Sequence, residues 1–550
     1  MEGRAGSPLC GAAKSRAGKR GIDRYPIQIH QIIQFARTLI TPRNLVIAGI
    51  LLVGIFERVW EFGSLPPGLN PDETSSGVDA FSLYRFGVDR NAVSFPVHFI
   101  SWGGGQNALY AYLMIPFIAL GGLNPLTVRL PMLITGILSL PLVYYIAKRT
   151  MGEKAALIAL FLVAISPWHI VLSRWGLESN LLPFVFLIAY TGLLKSGSEN
   201  HWFVLSSLFF GASLYAYGTA YVAALFMLVC GTLILLRWKR VSRKDLILGL
   251  VSFALVGLPI ALFVLVNSLE LESIHLRFIT IPRMPGTPRY ETVSLIFGGN
   301  YQVLVNNLKS LLTLLWRQSD GLIWNTVEPY GYLYKITFPV AVIGLLRLIK
   351  ERGAAHTVER MLLLAWMAAG LALGLLQPAN INRMNLIFIP LILCIAFAFD
   401  WIPARLKVVN LVVVLSFLAG LVLFTRDYHA EKYRREADAS FYTGFLPALD
   451  LARQAGQAPI CVTKDVNMPY IYVLFVEQMN PLEYRREIEY INPRGRFREV
   501  RTLGRYAFGP NNCPQDPKTI YVLRGEQPPE NDNGYQVTDF GGFHVFRPIN

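Results

Sequence analysis

An acidic pair, Asp72 and Glu73, follows the first apolar run of the chain, residues 44–60. It comes after a turn-rich stretch, 65–70, and before residues 80–84, which have the spacing of an amphipathic helix. The run is long enough to cross a bilayer, and a charge close to a bilayer is costly and often marks a functional site. We interpret the pair as a carboxylate held at the mouth of a membrane cavity. Asp72 is also a residue type that caps helices, and the two roles are compatible.

Two further polar groups stand at the ends of later apolar runs. Arg174 follows His169 and precedes Glu178 by four residues, so Arg174 and Glu178 share a face if the segment is helical. The functional reading is a phosphate contact for Arg174, because guanidinium binds phosphate with two donors; the alternative is a local ion pair. Arg383 stands among asparagines that include Asn382, and it is either a substrate contact or a snorkelling interfacial residue.

The loop after the acidic pair contains Trp102, three glycines and Gln106. Glycines let a backbone approach another surface closely, and an indole is of the kind that stacks on sugars. Trp102 and Gln106 are therefore candidate substrate contacts, with a plain flexible turn as the more common alternative. Tyr215, Tyr217 and Tyr221 favour an aromatic belt at a membrane interface.

Composition indicates which elements position these residues. Only 16% of the 550 residues are charged, whereas soluble proteins have about 25%, so much of the surface faces lipid. The net charge of +15 lies mostly in short loops and the N-terminal tail, which indicates membrane orientation rather than nucleic-acid binding. Five scattered cysteines without CxxC spacing argue against a zinc or redox site. No Walker loop, dinucleotide fingerprint or G-x-S-x-G elbow is present.

The apolar runs predict a polytopic, mainly α-helical bundle with about eleven crossings. The predicted spans are 44–60, 127–147, 155–168, 181–195, 203–217, 220–237, 246–266, 334–349, 361–376, 384–400 and 408–424.

The positive-inside rule orients this bundle. A basic tail, 1–43, is expected in the cytoplasm, ahead of a first span that acts as an uncleaved anchor. All later basic loops fall on the same side only if the apolar run 107–120 does not cross, so we expect it to be interfacial or re-entrant. The domain 44–425 then has two long external loops, 61–126 and 267–333.

The composition changes after residue 425, where long apolar runs end. Residues 426–550 are enough for a small extracytoplasmic domain, which we predict to be α/β. The predicted helix is 442–455, and the predicted strands are 459–462, 471–475, 519–523 and 543–546. Cys461 and Cys513 both lie here, but sequence alone does not establish whether they are close enough to form a disulfide.

These features resemble the GT-C membrane glycosyltransferases, specifically glycosyltransferase family 39, which includes protein O-mannosyltransferases and lipid A aminoarabinose transferases. The resemblance covers roughly residues 44–424. The residues that carry it are Pro71-Asp72-Glu73, Val128-Arg129-Leu130-Pro131, Ser166-Pro167-Trp168-His169 and Ser173-Arg174, together with the long first loop and the C-terminal domain. No counterpart is found of the beta-trefoil domain of the eukaryotic members, which leaves a protein acceptor in doubt.

The resemblance implies an enzyme of the plasma or inner membrane. It would move a sugar from a polyprenyl-phosphate carrier to a lipid, glycan or protein acceptor on the external face, with inversion. Asp72 would be the base, and Glu73 would orient it or bind the acceptor. Arg174 and Arg383 would bind the donor phosphate. The remaining candidate substrate contacts are His169, Glu178, Asn382, Trp102 and Gln106.

No cofactor is required by this scheme, although the carboxylate pair next to a phosphate is of a kind that holds a divalent metal. Two other functions compete with it. A transporter or flippase of lipid-linked sugars predicts repeats and charges near the bilayer midplane, and a polysaccharide polymerase or ligase shares the carrier but not the early acidic pair. Convergence of Asp72, Arg174 and Arg383 on one cavity is the observation that discriminates among them.

Overall fold

The computed structural model describes residues 41–197, 201–285, 301–351, 356–493, 495, 497–526 and 534–549. Residues 50–550 form one unit, separate from residues 1–49. The predicted cytoplasmic tail lies almost entirely outside the described residues, which in the first unit include only the start of the first helix.

Helices dominate the chain up to residue 428. They are α1 Pro42–Val59, α2 Pro71–Phe86, α3 Leu109–Gly121, α4 Pro125–Met151, α5 Glu153–Ile165, α6 Pro167–Leu172, α7 Glu178–Lys195, α8 Trp202–Ser213, α9 Ala220–Arg237, α10 Arg243–Ser268, α11 Tyr301–Arg317, α12 Thr337–Lys350, α13 Thr357–Leu376, α14 Ile381–Met384, α15 Phe388–Asp400 and α16 Lys407–Tyr428.

A helix lies at each predicted span, which confirms the mainly α-helical bundle. Among the described residues, five helices are long and apolar enough to cross a membrane by themselves: α4, α9, α10, α13 and α16. The number of crossings and their orientation stay predictions, because the remaining helices are shorter or less apolar.

The apolar run 107–120 forms the 13-residue helix α3, which contains Pro116. A helix of that length extends about 20 Å, less than the ~30 Å hydrocarbon core of a bilayer. It follows a two-stranded hairpin, β1 His98–Phe99 and β2 Gln106–Asn107. The hairpin and α3 therefore form a short unit beside α2 and α4, which α3 contacts.

Close packing between helices depends on small residues at the contact points. Gly136 in α4 lies against Ser173, which follows α6, and a Cβ at Gly136 would be 2.2 Å from the Ser173 hydroxyl oxygen. Only glycine therefore lets the turn that carries Ser173 and Arg174 approach α4. A second short hairpin, β3 Ile274–His275 and β4 Thr280–Ile281, follows α10.

The C-terminal region is an α/β domain, as predicted. Its helices are α17 Glu431–Phe441, α18 Phe445–Arg453, α19 Pro469–Glu477 and α20 Pro481–Tyr484. Its strands are β5 Ile460–Val462, β6 Ile488–Tyr490, β7 Val500–Leu503, β8 Tyr506–Phe508, β9 Ile520–Leu523, β10 Tyr535–Asp539 and β11 His544–Pro548. They form one sheet in the order β10-β11-β9-β5-β8-β7-β6.

Strand β5 occupies a central position and is parallel to both of its neighbours, β8 and β9. The other strand pairs of this sheet are antiparallel. Cys461 on β5 and Cys513, just beyond β8, form a disulfide, which settles the pairing that the sequence left open.

One predicted strand is wrong: residues 471–475 lie inside helix α19. All five are buried, and a short, fully buried apolar run has the same appearance in a strand and in a helix. The local signal that favours the helix is Pro469, at its first position. The predicted helix 442–455 is present in shorter form as α18, and strands β6, β7, β8 and β10 were missed.

Helix α19 attaches the C-terminal domain to α2, the helix that carries the acidic pair. The Tyr472 hydroxyl donates to the Leu69 carbonyl oxygen over 2.8 Å. The Phe475 ring lies against Gly77 of α2, where an added Cβ would be 3.2 Å from it. The domain therefore contacts the segment that positions Asp72 and Glu73.

Candidate active site

The acidic pair lies in the first turn of α2, and the cap of that helix is Asn70. The Asn70 side-chain oxygen accepts from the Asp72 amide at 3.0 Å, and the Glu73 carboxylate accepts from the Asn70 amide at 3.1 Å. This reciprocal pair is a capping box, so Asp72 is not the N-cap. Asp72 is half-buried in this first turn.

Glu73 is fully buried and pairs with Arg129 of α4. Its two oxygens lie 2.8 and 2.9 Å from the Arg129 Nε and Nη2 atoms. The Gly176 amide adds a third donor at 2.7 Å. Protein donors occupy both Glu73 oxygens, so Glu73 fixes the start of α2 against α4. This corrects the prediction that Glu73 binds the acceptor or orients Asp72.

Arg129 extends this framework to the turn-rich approach. It donates to the Pro66 and Gly68 carbonyl oxygens at 2.8 Å each, and to that of Gly63 at 3.3 Å. One buried guanidinium therefore holds both the helix start and the loop that leads into it. The sequence showed Arg129 only as part of a family motif, and its partner is 56 residues away.

Gln106 lies beside the backbone of Asp72. Its side-chain amide donates to the Asp72 carbonyl oxygen at 3.2 Å and accepts from the Ser75 hydroxyl at 2.9 Å. The next residue, Asn107, donates its backbone amide to the Glu178 carboxylate at the start of α7. Strand β2 therefore connects the turn of Asp72 to Glu178.

A cavity of about 720 Å³ opens beside Glu178 and Asn107. Most of its wall is apolar and comes from α9, α10 and α13. The wall also has polar groups, which come from Glu178, Arg383, Tyr217 and Tyr221. The combination of a long apolar wall and a few polar groups suits a ligand with a lipid tail and a polar head.

Tyr217 and Tyr221 were interpreted as an interface belt, and the structure places both in the cavity wall instead. Tyr215, the third member, donates its hydroxyl to the Val256 carbonyl oxygen of α10 at 2.8 Å. The belt pattern and a cavity lining have the same spacing in sequence. Only the packing of α8, α9 and α10 distinguishes them.

His98 also lines the cavity, and no sequence signal singled it out. Its ring stacks on Phe263 with 4.5 Å between centroids, and burial lowers the pKa of His98 to about 4. The imidazole is therefore neutral at physiological pH. Gly105 has a φ of +94°, and a Cβ there would be 2.4 Å from the His98 ring. The glycine segment thus serves a close backbone approach.

Trp102 does not lie among the residues that line this cavity. Its ring is covered by the Arg90 guanidinium, 5.3 Å from the ring centroid. Arg90 in turn pairs with the buried Asp79 of α2 at 3.3 Å. The structure therefore connects Trp102 to the packing of the first loop rather than to the cavity.

Arg383 is half-buried and lines the cavity, while its neighbour Asn382 is buried and fixes the segment. The Asn382 side chain donates to the Ser179 hydroxyl at 3.2 Å and accepts from Asn325 at 2.7 Å. Arg383 donates one Nη1 bond to the Pro378 carbonyl oxygen at 3.0 Å. Asn382 therefore fixes the segment that carries Arg383 beside α7. This structural role corrects the prediction that Asn382 contacts the substrate.

Arg174 is not the exposed phosphate ligand that the sequence suggested. It is fully buried, and its guanidinium donates to the Glu57 and Trp60 carbonyl oxygens at 2.9 and 2.7 Å, and to that of Leu65 at 3.3 Å. It also lies before the start of α7, so it shares no helix face with Glu178. Arg174 holds the end of α1 in place.

His169 is likewise internal. It is buried in α6, and its Nδ1 lies 2.7 Å from the Arg58 guanidinium of α1. This contact corrects its prediction as a substrate residue. Of the three residues whose convergence on one cavity was the test, only Arg383 lines this cavity. Asp72 is linked to the cavity wall through strand β2, and Arg174 is buried against the end of α1.

Among the residues that the structure describes, no group of three or more His, Cys, Asp or Glu side chains is arranged to hold a metal ion. Within the acidic pair, Glu73 is occupied by Arg129.

Comparison with known proteins shows which proteins this chain is similar to. The family described as dolichyl-phosphate-mannose-protein mannosyltransferase matches residues 107–265, which contain Asn107, Glu178 and much of the cavity wall. The apo structure of ArnT from Cupriavidus metallidurans matches with a TM-score of 0.54 at 13% identity, covering 92% of this chain and 97% of that chain. Its complex with undecaprenyl phosphate matches with a TM-score of 0.54 at 12% identity and the same coverage.

The Archaeoglobus fulgidus oligosaccharyltransferase matches at 15% identity and a TM-score of 0.49, covering 78% of this chain and 61% of that chain. No curated protein sequence matches this chain significantly. Residues 107–265 are therefore similar to this mannosyltransferase family, and nearly the whole chain shares the fold of ArnT.

Proposed function

We propose that this enzyme transfers a sugar from a polyprenyl-phosphate carrier to an acceptor hydroxyl, with inversion and with Asp72 as general base. The observation that carries the proposal is the position of strand β2. The Gln106 side-chain amide donates to the Asp72 backbone carbonyl oxygen, and the adjacent Asn107 lines the cavity. Two consecutive residues therefore join the helix turn that carries Asp72 to the apolar cavity.

The apolar part of the cavity takes the polyprenyl tail, and Arg383 takes the phosphate. Guanidinium offers parallel donors to phosphate, and near an apolar wall this attraction is stronger than in water. The neutral His98 and the hydroxyls of Tyr217 and Tyr221 supply uncharged hydrogen-bonding groups around the head. The ArnT complex supports this use of the fold, because that protein was crystallised with undecaprenyl phosphate.

Asp72 takes the proton of the acceptor hydroxyl as its oxygen attacks the anomeric carbon. The bond from that carbon to the phosphate oxygen breaks on the opposite face, and the carrier phosphate leaves toward Arg383. A base in this role must come within about 3 Å of the hydroxyl. The ion pair of Glu73 with Arg129 keeps the helix turn that carries Asp72 rigid. The scheme needs neither a metal nor a cofactor.

The reaction is proposed to occur on the external face of the cell membrane, because basic loops mark the cytoplasmic side. In this arrangement the C-terminal domain is extracytoplasmic. Its contact with Leu69 through Tyr472 supports a role for this domain on the acceptor side of the site. Nucleic acid is not a partner in this proposal.

The test is Asp72→Asn in protein reconstituted in nanodiscs and supplied with a panel of undecaprenyl-phosphate sugars, with products identified by mass spectrometry. We expect turnover to fall by roughly 10² or more, the usual scale for a lost general base, with an unchanged melting midpoint. Asp539→Asn, at an exposed carboxylate on β10, is the matched control. Unchanged turnover in Asp72→Asn would refute the assignment of the base.

A further inference from the structure

A second cavity, of about 830 Å³, lies in the C-terminal domain. Its lining comes from the segments that follow β5, β8 and β9, such as Lys464, Asn511 and Arg524. Strand β5 is parallel to neighbours on both sides. In open α/β sheets, the carboxyl end of a strand whose connections leave to opposite sides is where ligands bind.

The lining offers amide groups that the protein itself does not use. Asn467 and Asn511 are exposed, and among the described residues their side chains have no hydrogen-bond partner. An amide carries both donors and an acceptor, which matches the donor and acceptor capacity of a hydroxyl group. Two open amides in one cavity therefore suit a ligand rich in hydroxyls.

Apolar side chains also line this cavity. Phe497 is 51% exposed although it belongs to the cavity wall, and Ile491 is 48% exposed. An exposed phenyl ring offers a flat apolar surface to the C–H face of a pyranose. Charge does not dominate the wall, because Lys464 and Arg524 are balanced by Asp465 and Glu499.

The cavity is built rigidly. The Cys461–Cys513 disulfide ties β5 to the segment that carries Asn511. The Glu526 carboxylate accepts from the Thr463 hydroxyl at 2.6 Å and the Arg524 amide at 2.8 Å, which joins the ends of β5 and β9. A wall fixed in advance loses little freedom when a ligand binds.

Helix α19 connects the cavity to the segment that begins α2. Tyr470 of α19 lines the cavity, and Tyr472 of the same helix donates to Leu69, three residues before Asp72. Side chains two residues apart point to different sides of a helix, so α19 lies between the cavity and this segment.

We propose that this cavity binds a saccharide, and that it holds a sugar unit of a glycan acceptor during transfer; the second part rests on the proposed function. Hydroxyls of the saccharide bind Asn467 and Asn511, and one sugar face stacks on Phe497. Binding itself does not depend on Asp72.

The binding test uses the full chain in nanodiscs with maltotriose, mannotriose and chitotriose as probes, and measures Kd by saturation-transfer NMR. We expect at least one probe to bind. Phe497→Ala and Asn511→Ala should each raise its Kd by about fivefold or more, on the scale of one lost contact. Gln536→Ala, an exposed residue on the edge strand β10, is the control and should leave Kd unchanged.

The transfer test uses the bound trisaccharide as acceptor with undecaprenyl-phosphate sugars. Phe497→Ala and Asn511→Ala should raise the KM for the trisaccharide with little change in kcat, whereas Asp72→Asn should lower kcat with Kd unchanged. The saccharide site is overturned if none of the three probes binds, or if the two cavity variants bind as tightly as the parent. Normal turnover in Asp72→Asn overturns the proposed base and leaves the Kd comparison to decide the saccharide site.

Discussion

Replacing Glu73 by Gln separates the two members of the acidic pair. The Glu73 carboxylate is fully buried and faces the Arg129 guanidinium with two contacts shorter than 3 Å. Glutamine keeps the shape but removes the negative charge, and it exchanges one acceptor for a donor that faces the guanidinium. We expect Glu73→Gln to destabilise the fold, whereas Asp72→Asn leaves it intact and removes activity.

The magnitude follows from the burial of the pair. Removing one partner of a buried ion pair leaves the other charge uncompensated, which typically costs about 3–5 kcal/mol. Arg129 keeps three backbone carbonyl partners after the change, at Gly63, Pro66 and Gly68, so we expect the lower part of that range, about 3 kcal/mol.

The assay is the melting midpoint of detergent-solubilised protein, followed by the loss of the monodisperse peak in size-exclusion chromatography. The double variant Glu73→Gln with Arg129→Met removes the uncompensated charge. It should recover part of the loss, but not all, because three carbonyl groups lose their donor. The double variant thereby reports the coupling between the two side chains.

A Glu73→Gln protein that melts with the parent and loses only turnover would refute this reasoning. That result would support the prediction from the sequence that Glu73 orients Asp72 or binds the acceptor. A double variant less stable than Glu73→Gln would show that the Arg129 bonds to the approach loop outweigh the ion pair.

Three further outcomes are expected. Arg383→Lys should raise the KM for the donor by about tenfold, because an ammonium group lacks the parallel donors of guanidinium. Arg174→Lys should instead lower the melting midpoint. An equal donor KM in Arg383→Lys and the parent would show that Arg383 is not the phosphate ligand. Burial raises the pKa of Asp89 from 3.8 to about 7. The folded protein therefore holds the Asp89 proton more tightly than the unfolded chain does, and the free energy of unfolding falls as the pH rises from about 4 to about 7. The melting midpoint of Asp89→Asn should therefore exceed that of the parent by more at pH 8 than at pH 4.5, and a difference independent of pH would contradict this. Cysteines introduced at Arg240 and at the exposed Arg501 should be labelled from opposite sides of the membrane, and labelling from one side would contradict the predicted topology.

Local sequence patterns determined much of the architecture. Apolar runs of spanning length located the helices of the bundle, since a helix in lipid needs about 20 apolar residues whatever surrounds it. The change of composition after residue 425 located the α/β domain. Asp72 and Gln106 were singled out by residue type and position, and the structure places them in contact.

Only the tertiary structure decided which charged residues are structural. Glu73 and Arg174 stand in sequence contexts that resemble those of Asp72 and Arg383, yet both are buried against partners more than 50 residues away. Burial and long-range pairing depend on how helices pack, and no local spacing encodes that packing. The same limit applies to residues 471–475, whose complete burial erased the periodicity that separates a helix from a strand. The cavities arise in the same way, from segments that meet only when the chain has folded.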